Sequence, residues 1–381
     1  MRSRLFPAII FAMCSAPLAF GSLWEDPQWA LLGTLSGTTG YDSNLTLLHD
    51  GPGSFFVAAN PYLTLSRQNS DSLIDITVGV TETDFTDGAE PRETDLNAGF
   101  TILYPNVFNV PPVYDIRGSW KHSSEPDQFL GQRVAYNQFN LSGEGNLRLS
   151  GKLGLRGLAA FDAEDYDSST LNDSVRGSLL AGLTYSSDPQ TQFSINVSDA
   201  EAHSTPNDTT RAYADVYSNE YNIFARVSGQ ITDKVSGVIY GGFGDINYTG
   251  GYQNSSAIPV AGANLTWGLD PRRTIVLAAF SGATNAPDGT AVDTTNAFIS
   301  FTDVVVSGWQ VTVRTGPTRS VFSQKVAFRH DTSWAFGGEV AYNPSLRFKV
   351  ALDASYERRT SDFIIYAYNH ELVSLNASYT F

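Results

Sequence analysis

The chain has 381 residues, with 24 Lys and Arg against 39 Asp and Glu and a single cysteine. This acidic balance argues against nucleic acid as a partner. With the lone cysteine, Cys14, in the apolar run at the start, disulfides are excluded as a source of stability. No stretch has the length and apolar continuity of a membrane-spanning helix, and no segment sustains a 3.6-residue period, so a helical domain has little support.

Arg2 and Arg4 precede an apolar run from Leu5 to Phe20, followed by small residues at Ala19 and Gly21 and by polar Ser22 and Glu25. That order predicts a secretory signal peptide over 1–21, cut after Gly21, with the remaining domain spanning 22–381. Removing it takes away Arg2, Arg4 and Cys14, which leaves a mature net charge of about −17 and no cysteine.

From there alternation with period two recurs about every 20 residues. Ile74, Ile76, Val78 and Val80 alternate with Asp75 and Thr77. Leu96, Ala98, Phe100, Ile102 and Tyr104 alternate with Asp95, Asn97 and Thr101. Phe139, Leu141, Leu147 and Leu149 alternate with Asn140, Ser142, Glu144, Asn146 and Arg148. Further alternating segments are 175–185, 221–227, 261–267, 334–342 and 350–356. The last is the clearest: Val373, Leu375, Ala377, Tyr379 and Phe381 alternate with Ser374, Asn376, Ser378 and Thr380. Strands with one apolar and one polar face, ending on an aromatic, predict an all-β fold: a transmembrane, antiparallel, up-and-down β-barrel with lipid outside and a wet lumen. Val373, Leu375, Tyr379 and Phe381 are read as the C-terminal signal for the barrel-assembly machinery.

Short turns are expected at Ser150-Gly151, Ser187 to Pro189, Ile231 to Lys234, Asp270-Pro271, Gly316-Pro317 and Asn343 to Ser345. Longer polar loops are expected over 121–133, 162–173, 200–216, 245–254 and 281–295. Counting between two periplasmic ends gives about 18 strands when 296–313 is taken as one long strand, with 16 as the fallback. Tyr104, Tyr185, Trp267, Tyr342, Tyr379 and Phe381 all fall on the apolar face beside an expected short turn or end. That clustering is the interfacial aromatic girdle of an outer-membrane barrel and places the short turns at the periplasmic side. A soluble β-sandwich or propeller would share the alternation without this clustering.

Gly40-Tyr41-Asp42-Ser43-Asn44, Leu265-Thr266-Trp267-Gly268-Leu269-Asp270-Pro271-Arg272-Arg273-Thr274, and the tail Ala354 to Asp362 with Tyr368-Asn369-His370 together resemble the bacterial outer-membrane barrels of the beta-barrel porin 2 type. The likeness spans most of the mature chain through short motifs. It implies a barrel in the outer membrane of a Gram-negative cell and a context of exopolysaccharide or other surface-polymer export, and it carries over no binding residue.

With apolar positions facing lipid, alternation points Arg117, Arg148, Arg156, Arg176 and Arg226 into the lumen, along with Asp75, Asp95, Glu339, Asp353 and Glu357. Because early and late strands meet where a barrel closes, the acids gather on one wall and the arginines on the other. A transverse field across a water-filled pore is one reading; solvated charges paired with neighbours is the other, and Lys349, Arg359, Glu144 and Asp115 blur the segregation. The acidic run Asp162, Glu164, Asp165, Asp167 and Asp173 lacks the Gly and closing Glu of a helix-loop-helix calcium site, so no metal and no cofactor are expected. Of five histidines, His49, His122, His203, His330 and His370, three are followed by an acid (Asp50, Asp331 and Glu371), and neighbours in a strand face opposite ways, so adjacency makes no dyad there. Gly-x-Ser-x-Gly is absent, so an outer-membrane hydrolase ranks last and no enzyme is expected.

The expected function is an outer-membrane channel passing polar solutes. The alternatives are the conduit of a surface-polymer export system and a structural barrel without transport. Expected partners are outer-membrane lipid and lipopolysaccharide, the assembly machinery and surface-polymer export components; whether the barrel is a monomer or a trimer is left open.

Overall fold

The computed structural model describes residues 24–25, 28–69, 71–86, 92–104, 114–124, 126–127, 132–168, 171–188, 190–207, 215–249, 256–286, 290–306, 308–323 and 328–381. The expected signal peptide lies outside them. Period-two alternation becomes strand after strand, and eighteen of the strands are long. They are β1 (Trp29–Asp42), β2 (Ser54–Gln68), β3 (Leu73–Phe85), β4 (Glu93–Tyr104), β5 (Tyr114–Ser123) and β6 (Tyr136–Arg148). Next come β7 (Leu153–Tyr166), β8 (Asn172–Ser186), β9 (Thr191–Pro206), β10 (Val216–Thr232), β11 (Val235–Thr249) and β12 (Ser256–Gly268). The last six are β13 (Arg273–Asn285), β14 (Ala291–Val306), β15 (Trp309–Ser323), β16 (Phe328–Tyr342), β17 (Phe348–Ser361) and β18 (Tyr368–Thr380). Each pairs antiparallel with the next, and β1 pairs with β18 from Thr34↔Thr380 to Asp42↔Leu372. The sheet therefore closes on itself, which satisfies the ladder without an edge.

Beyond Thr380 the seam is completed by Phe381, whose N–H donates to the Gly33 carbonyl while the Gly33 N–H donates back to Phe381. A two-residue strand, Trp24–Glu25, pairs with Ala30 and Leu31, covering the stretch of β1 that β18 does not reach. Both chain-terminal segments lie at one end of the barrel, with the short turns. The opposite end carries the longer connections, and these are called here the turn end and the loop end.

Side-chain oxygens build the tight turns. Ser150 Oγ accepts from the Leu153 N–H at 3.1 Å, Asp188 Oδ1 from the N–H groups of Gln190 and Thr191 at 2.8 Å each, and Thr232 Oγ1 from Val235 at 3.0 Å. Asp270 Oδ1 does the same for Arg272 at 2.9 Å and Ser345 Oγ for Phe348 at 3.2 Å. These are the Asx and Ser/Thr turn bonds that made the turn sequences legible.

Two expectations about β14 and β15 are corrected. Gly316-Pro317 is no turn: both residues sit inside β15. The β14–β15 pairing passes from Asn296↔Thr318 to Ile299↔Thr315, skipping the position where Pro317 has no N–H to give. Residues 296–313 are likewise not one strand, because the chain reverses between Val306 and Trp309, with Gly308 at φ +83°. A side chain at Gly308 would also stand 2.6 Å from the Asn343 carbonyl oxygen, so glycine is required twice over. The two errors offset in the strand count.

The loops are shorter than expected because the strands run on past the apolar band. β7 continues to Tyr166 and β8 begins at Asn172, so most of the acidic run 162–173 is strand. β9 continues to Pro206 and β11 to Thr249. A barrel strand keeps its backbone paired above the membrane, and polar side chains there carry no signal of where pairing stops.

Candidate functional site

Alternation assigns every strand residue to one of two faces, and register carries the assignment around the barrel. The outward face is apolar: Ile76, Val78, Leu141, Leu179, Ile195, Ile223, Val313 and Leu352 are all exposed. At the turn end it becomes aromatic, with Tyr104, Tyr185, Trp267, Trp309 and Tyr342 exposed. The Trp309 and Tyr342 ring centroids are 4.7 Å apart, and Tyr379 and Phe381 stack at 6.2 Å.

The inward face is polar but not packed. On β15 outward Val313 and the inward Arg314 side chain are each 53% exposed. On β14 inward Phe298 is 48% exposed and outward Ile299 42%. Neighbours on opposite faces can both be exposed only if the wall is one sheet thick with open space on either side. Among the described residues the buried apolar cluster is small (Ala286, Val292 and Phe322) and lies at the loop end. An 18-stranded barrel encloses more space than its own inward side chains fill.

Alternation and register set the residues expected in the lumen on one shared face of the wall. Asp75 accepts from Ser66 Oγ at 2.6 Å and, with Thr77, Thr101, Arg117, Asn140 and Ser142, lines a wall recess of about 380 Å³. Asp95 accepts from the Ser124 N–H and hydroxyl at the loop end. Arg117 holds Asp115 through Nε and Nη2 at 2.8 and 2.7 Å. Arg156 holds Glu144 through the same pair of nitrogens at 2.8 Å each. Arg176 reaches Glu220 at 2.8 Å, Lys349 reaches Glu339 at 3.2 Å, and Arg314 reaches Asp353 at 3.1 Å. Glu357 accepts from the Tyr368 hydroxyl at 3.2 Å. Arg148 turns toward the turn end, donating to the carbonyls of Ser150 and Gly151 at 3.1 and 2.8 Å. Arg226, on β10, stands between Ser194 of β9 and Tyr240 of β11.

Sequence reasoning missed a second set at the loop end. Asp331, 2% exposed, accepts from both Arg329 and Arg359. The Arg329 guanidinium lies between two rings, 3.5 Å from the centroid of Phe322 and 3.9 Å from that of Tyr366. Nearby, Arg133 pairs with Glu93, donates to the Leu45 carbonyl at 3.0 Å and lies over Phe85 at 5.1 Å. Fully buried Leu45 belongs to the connection after Gly40-Tyr41-Asp42-Ser43-Asn44, which is tied down by the His49 N–H donating to the Ile365 carbonyl. These groups cover one side of the mouth. Parity could have found Arg314 and Arg329, as it had placed Arg359 among the inward charges; what parity cannot give is that the connection from β17 to β18 sends Tyr366 onto Arg329.

Among the described residues no group of three or more His, Cys, Asp or Glu is placed to hold a metal ion. In the acidic run Glu164 accepts from Gln138 at 2.8 Å and Asp173 from the Tyr166 N–H at 2.9 Å. Two histidines meet acids that are distant in sequence: His330 Nδ1 lies 2.7 Å from Asp362 and His370 Nε2 2.9 Å from Asp42. Asp362 lies in the connection between β17 and β18, outside the spanning region. The hydrogen bond from His330 holds its carboxyl below the ordinary range.

No family model matches the chain, and no curated protein matches its sequence. Solved structures resemble its backbone. The outer membrane protein OpdK of Pseudomonas aeruginosa aligns over 95% of this chain and 100% of its own at 12% identity, with a TM-score of 0.49. OccAB4 of Acinetobacter baumannii aligns over 93% and 98% at 10% identity, TM-score 0.47. The siderophore receptor PirA of Pseudomonas aeruginosa aligns over 92% and 80% at 8% identity, TM-score 0.45. None of these likenesses assigns a residue or a solute to this chain.

Proposed function

We propose that this chain is a channel in the outer membrane of a Gram-negative bacterium, passing polar solutes through an open, wet bore. One observation carries the reading: inward Arg314 and Phe298 are as exposed as their outward neighbours Val313 and Ile299, so the lumen is space rather than core. The closed ladder and the apolar outer skin with its aromatic turn-end rim support a place in lipid. The terminal strand with Val373, Leu375, Tyr379 and Phe381 supports delivery by the assembly machinery. The resemblance to the beta-barrel porin 2 type belongs to the same reading and rests on the short motifs quoted above.

The test is electrical. Full-length mature protein inserted into planar bilayers should give stepwise potassium chloride conductance, and proteoliposomes should swell in isotonic small sugars. Insertion without conductance or swelling would replace the channel with a structural barrel. Membrane fractionation of the source cell tests the location separately.

A further inference from the structure

The wall from β7 to β10 holds two guanidiniums that the ion pairs do not use up. Arg156 is only 8% exposed and gives Nε and Nη2 to Glu144, while its buried Nη1 has no acceptor among the described residues. Arg226, inward on β10, makes no ion pair among the described residues, and its buried Nε also lacks an acceptor. Two guanidiniums stand against one paired carboxylate, Glu144, so the pair keeps an excess of positive charge.

The register explains how they share a site. Arg156, Gly182, Asn196 and Phe224 form one inward row across four strands, and Thr184, Ser194 and Arg226 lie in the adjacent row. The floor between the arginines is thus short and polar: Thr184, Ser194 and Asn196 are 4%, 8% and 0% exposed. A Cβ at Gly182 would stand 2.2 Å from Asn196 Oδ1, so that oxygen is aimed over the glycine toward Arg156. Asn196 Oδ1 has no donor, since its amide nitrogen is spent on Ser194 Oγ at 2.9 Å. Two unspent cationic donors and one unspent acceptor, all buried, are a costly arrangement unless a solute completes it.

We propose that Arg156, Arg226 and Asn196 form a binding site in the bore for a hydroxylated organic acid. Its carboxylate accepts from Arg156 Nη1 and Arg226 Nε, and a neighbouring hydroxyl donates to Asn196 Oδ1. Chloride has no donor for Asn196, and a neutral sugar has no charge for the arginines, so both bind less well. Phe224 and Tyr240, with ring centroids 5.8 Å apart, border the site and give the carbon chain an apolar edge. The inference rests on the channel reading and names the class of solute.

The test uses gluconate, with glucose as the neutral counterpart, on the whole protein in bilayers. Gluconate should halve the potassium chloride current at a concentration roughly tenfold below that of glucose, the size expected of one charge-assisted hydrogen bond. Arg226→Gln should remove that advantage, Arg226→Lys should keep part of it, and Arg272→Gln on an exposed turn should leave it intact. Normal conductance with equal sensitivity to gluconate and glucose overturns the site, as does equal loss in Arg272→Gln. Absence of conductance in every form fails the channel reading instead. Calorimetric titration of gluconate into detergent-solubilised protein then decides the site: heat lost in Arg226→Gln upholds it, and none in the unaltered protein overturns it.

Discussion

Val78 and Thr77 are adjacent on β3 and face opposite ways, so the same substitution at each separates the two sides of the wall. Val78, 56% exposed, points outward between Leu63 on β2 and Ala98 on β4, with no outward acid on these strands beside it. Continuing the β3–β4 register puts Tyr104 opposite Ser72, so Val78 stands six residues above the girdle. At a rise of ~3.3 Å per residue and a tilt of ~40°, that is about 15 Å up a band about 25 Å tall, near its middle. Arginine there costs about 2–4 kcal/mol. Thr77 faces the bore beside Gly99 and lines the open recess, so arginine at Thr77 stays in water and costs within about 1 kcal/mol. Val78→Arg should therefore lie at least about 1 kcal/mol below Thr77→Arg, about fivefold or more in the folding constant. Reversible urea unfolding from lipid vesicles, followed by tryptophan fluorescence, reads the difference. Equal costs, or a larger cost at Thr77, would refute the assignment of faces and with it the lumen.

Three further outcomes follow from single contacts. Gly316→Ala puts a Cβ 2.1 Å from the Ala297 carbonyl oxygen, whereas Gly143→Ala meets nothing within 4 Å; the first should lose about 1–3 kcal/mol and the second little, by the same unfolding assay. Asp331→Asn leaves two loop-end guanidiniums without their shared carboxylate and should cost about 3–5 kcal/mol, with faster proteolysis of the 362–367 connection; resistance equal to the parent would count against the cluster. The Asp362 carboxyl should titrate below the ordinary carboxylate range by carbon NMR and move upward in His330→Ala. Its stabilising effect is present above the ordinary carboxylate pKa and fades as pH falls through the lowered value; an unmoved titration in His330→Ala would remove the histidine as the cause.

The architecture was legible because a barrel strand writes its environment into every second residue. Ile76 and Val78 against Asp75 and Thr77 need no knowledge of partners to be sorted. Turns with a side-chain acceptor, such as Asp188 or Asp270, were legible for a similar local reason. Gly316-Pro317 misled because its composition is that of a turn while its neighbours keep it in strand: Thr315 Oγ1 donates to the Ala335 carbonyl at 2.9 Å, and the β15–β16 ladder runs through Pro317↔Trp334 unbroken. The true reversal at Gly308 depends on one positive φ and on the nearby Asn343 carbonyl, a contact with a residue 35 positions away. Loop lengths were overestimated because polar strand above the membrane and polar loop have the same composition.

Lumen chemistry is a different kind of problem, since parity tells which wall a charge faces and not what it meets there. Arg117 and Arg226 have the same inward parity, yet Arg117 has Asp115 two residues away on its own strand and face, while Arg226 has Phe224 and Ser228 in the corresponding places. The i±2 neighbour on the inward face, the first determinant, can be read from sequence but settles only Arg117; Arg156, Arg176 and Arg314 have no acid at i±2 and find their carboxylates on other strands. The second, the cross-strand row, needs register: Gly182, Thr184, Ser194 and Asn196 become a floor between Arg156 and Arg226 only once β7 to β10 are aligned. Arg226 has no carboxylate in its cross-strand places either, Ser194 and Tyr240, whereas Arg117, Arg156, Arg176 and Arg314 each reach one, so Arg226 alone of the five makes no ion pair among the described residues.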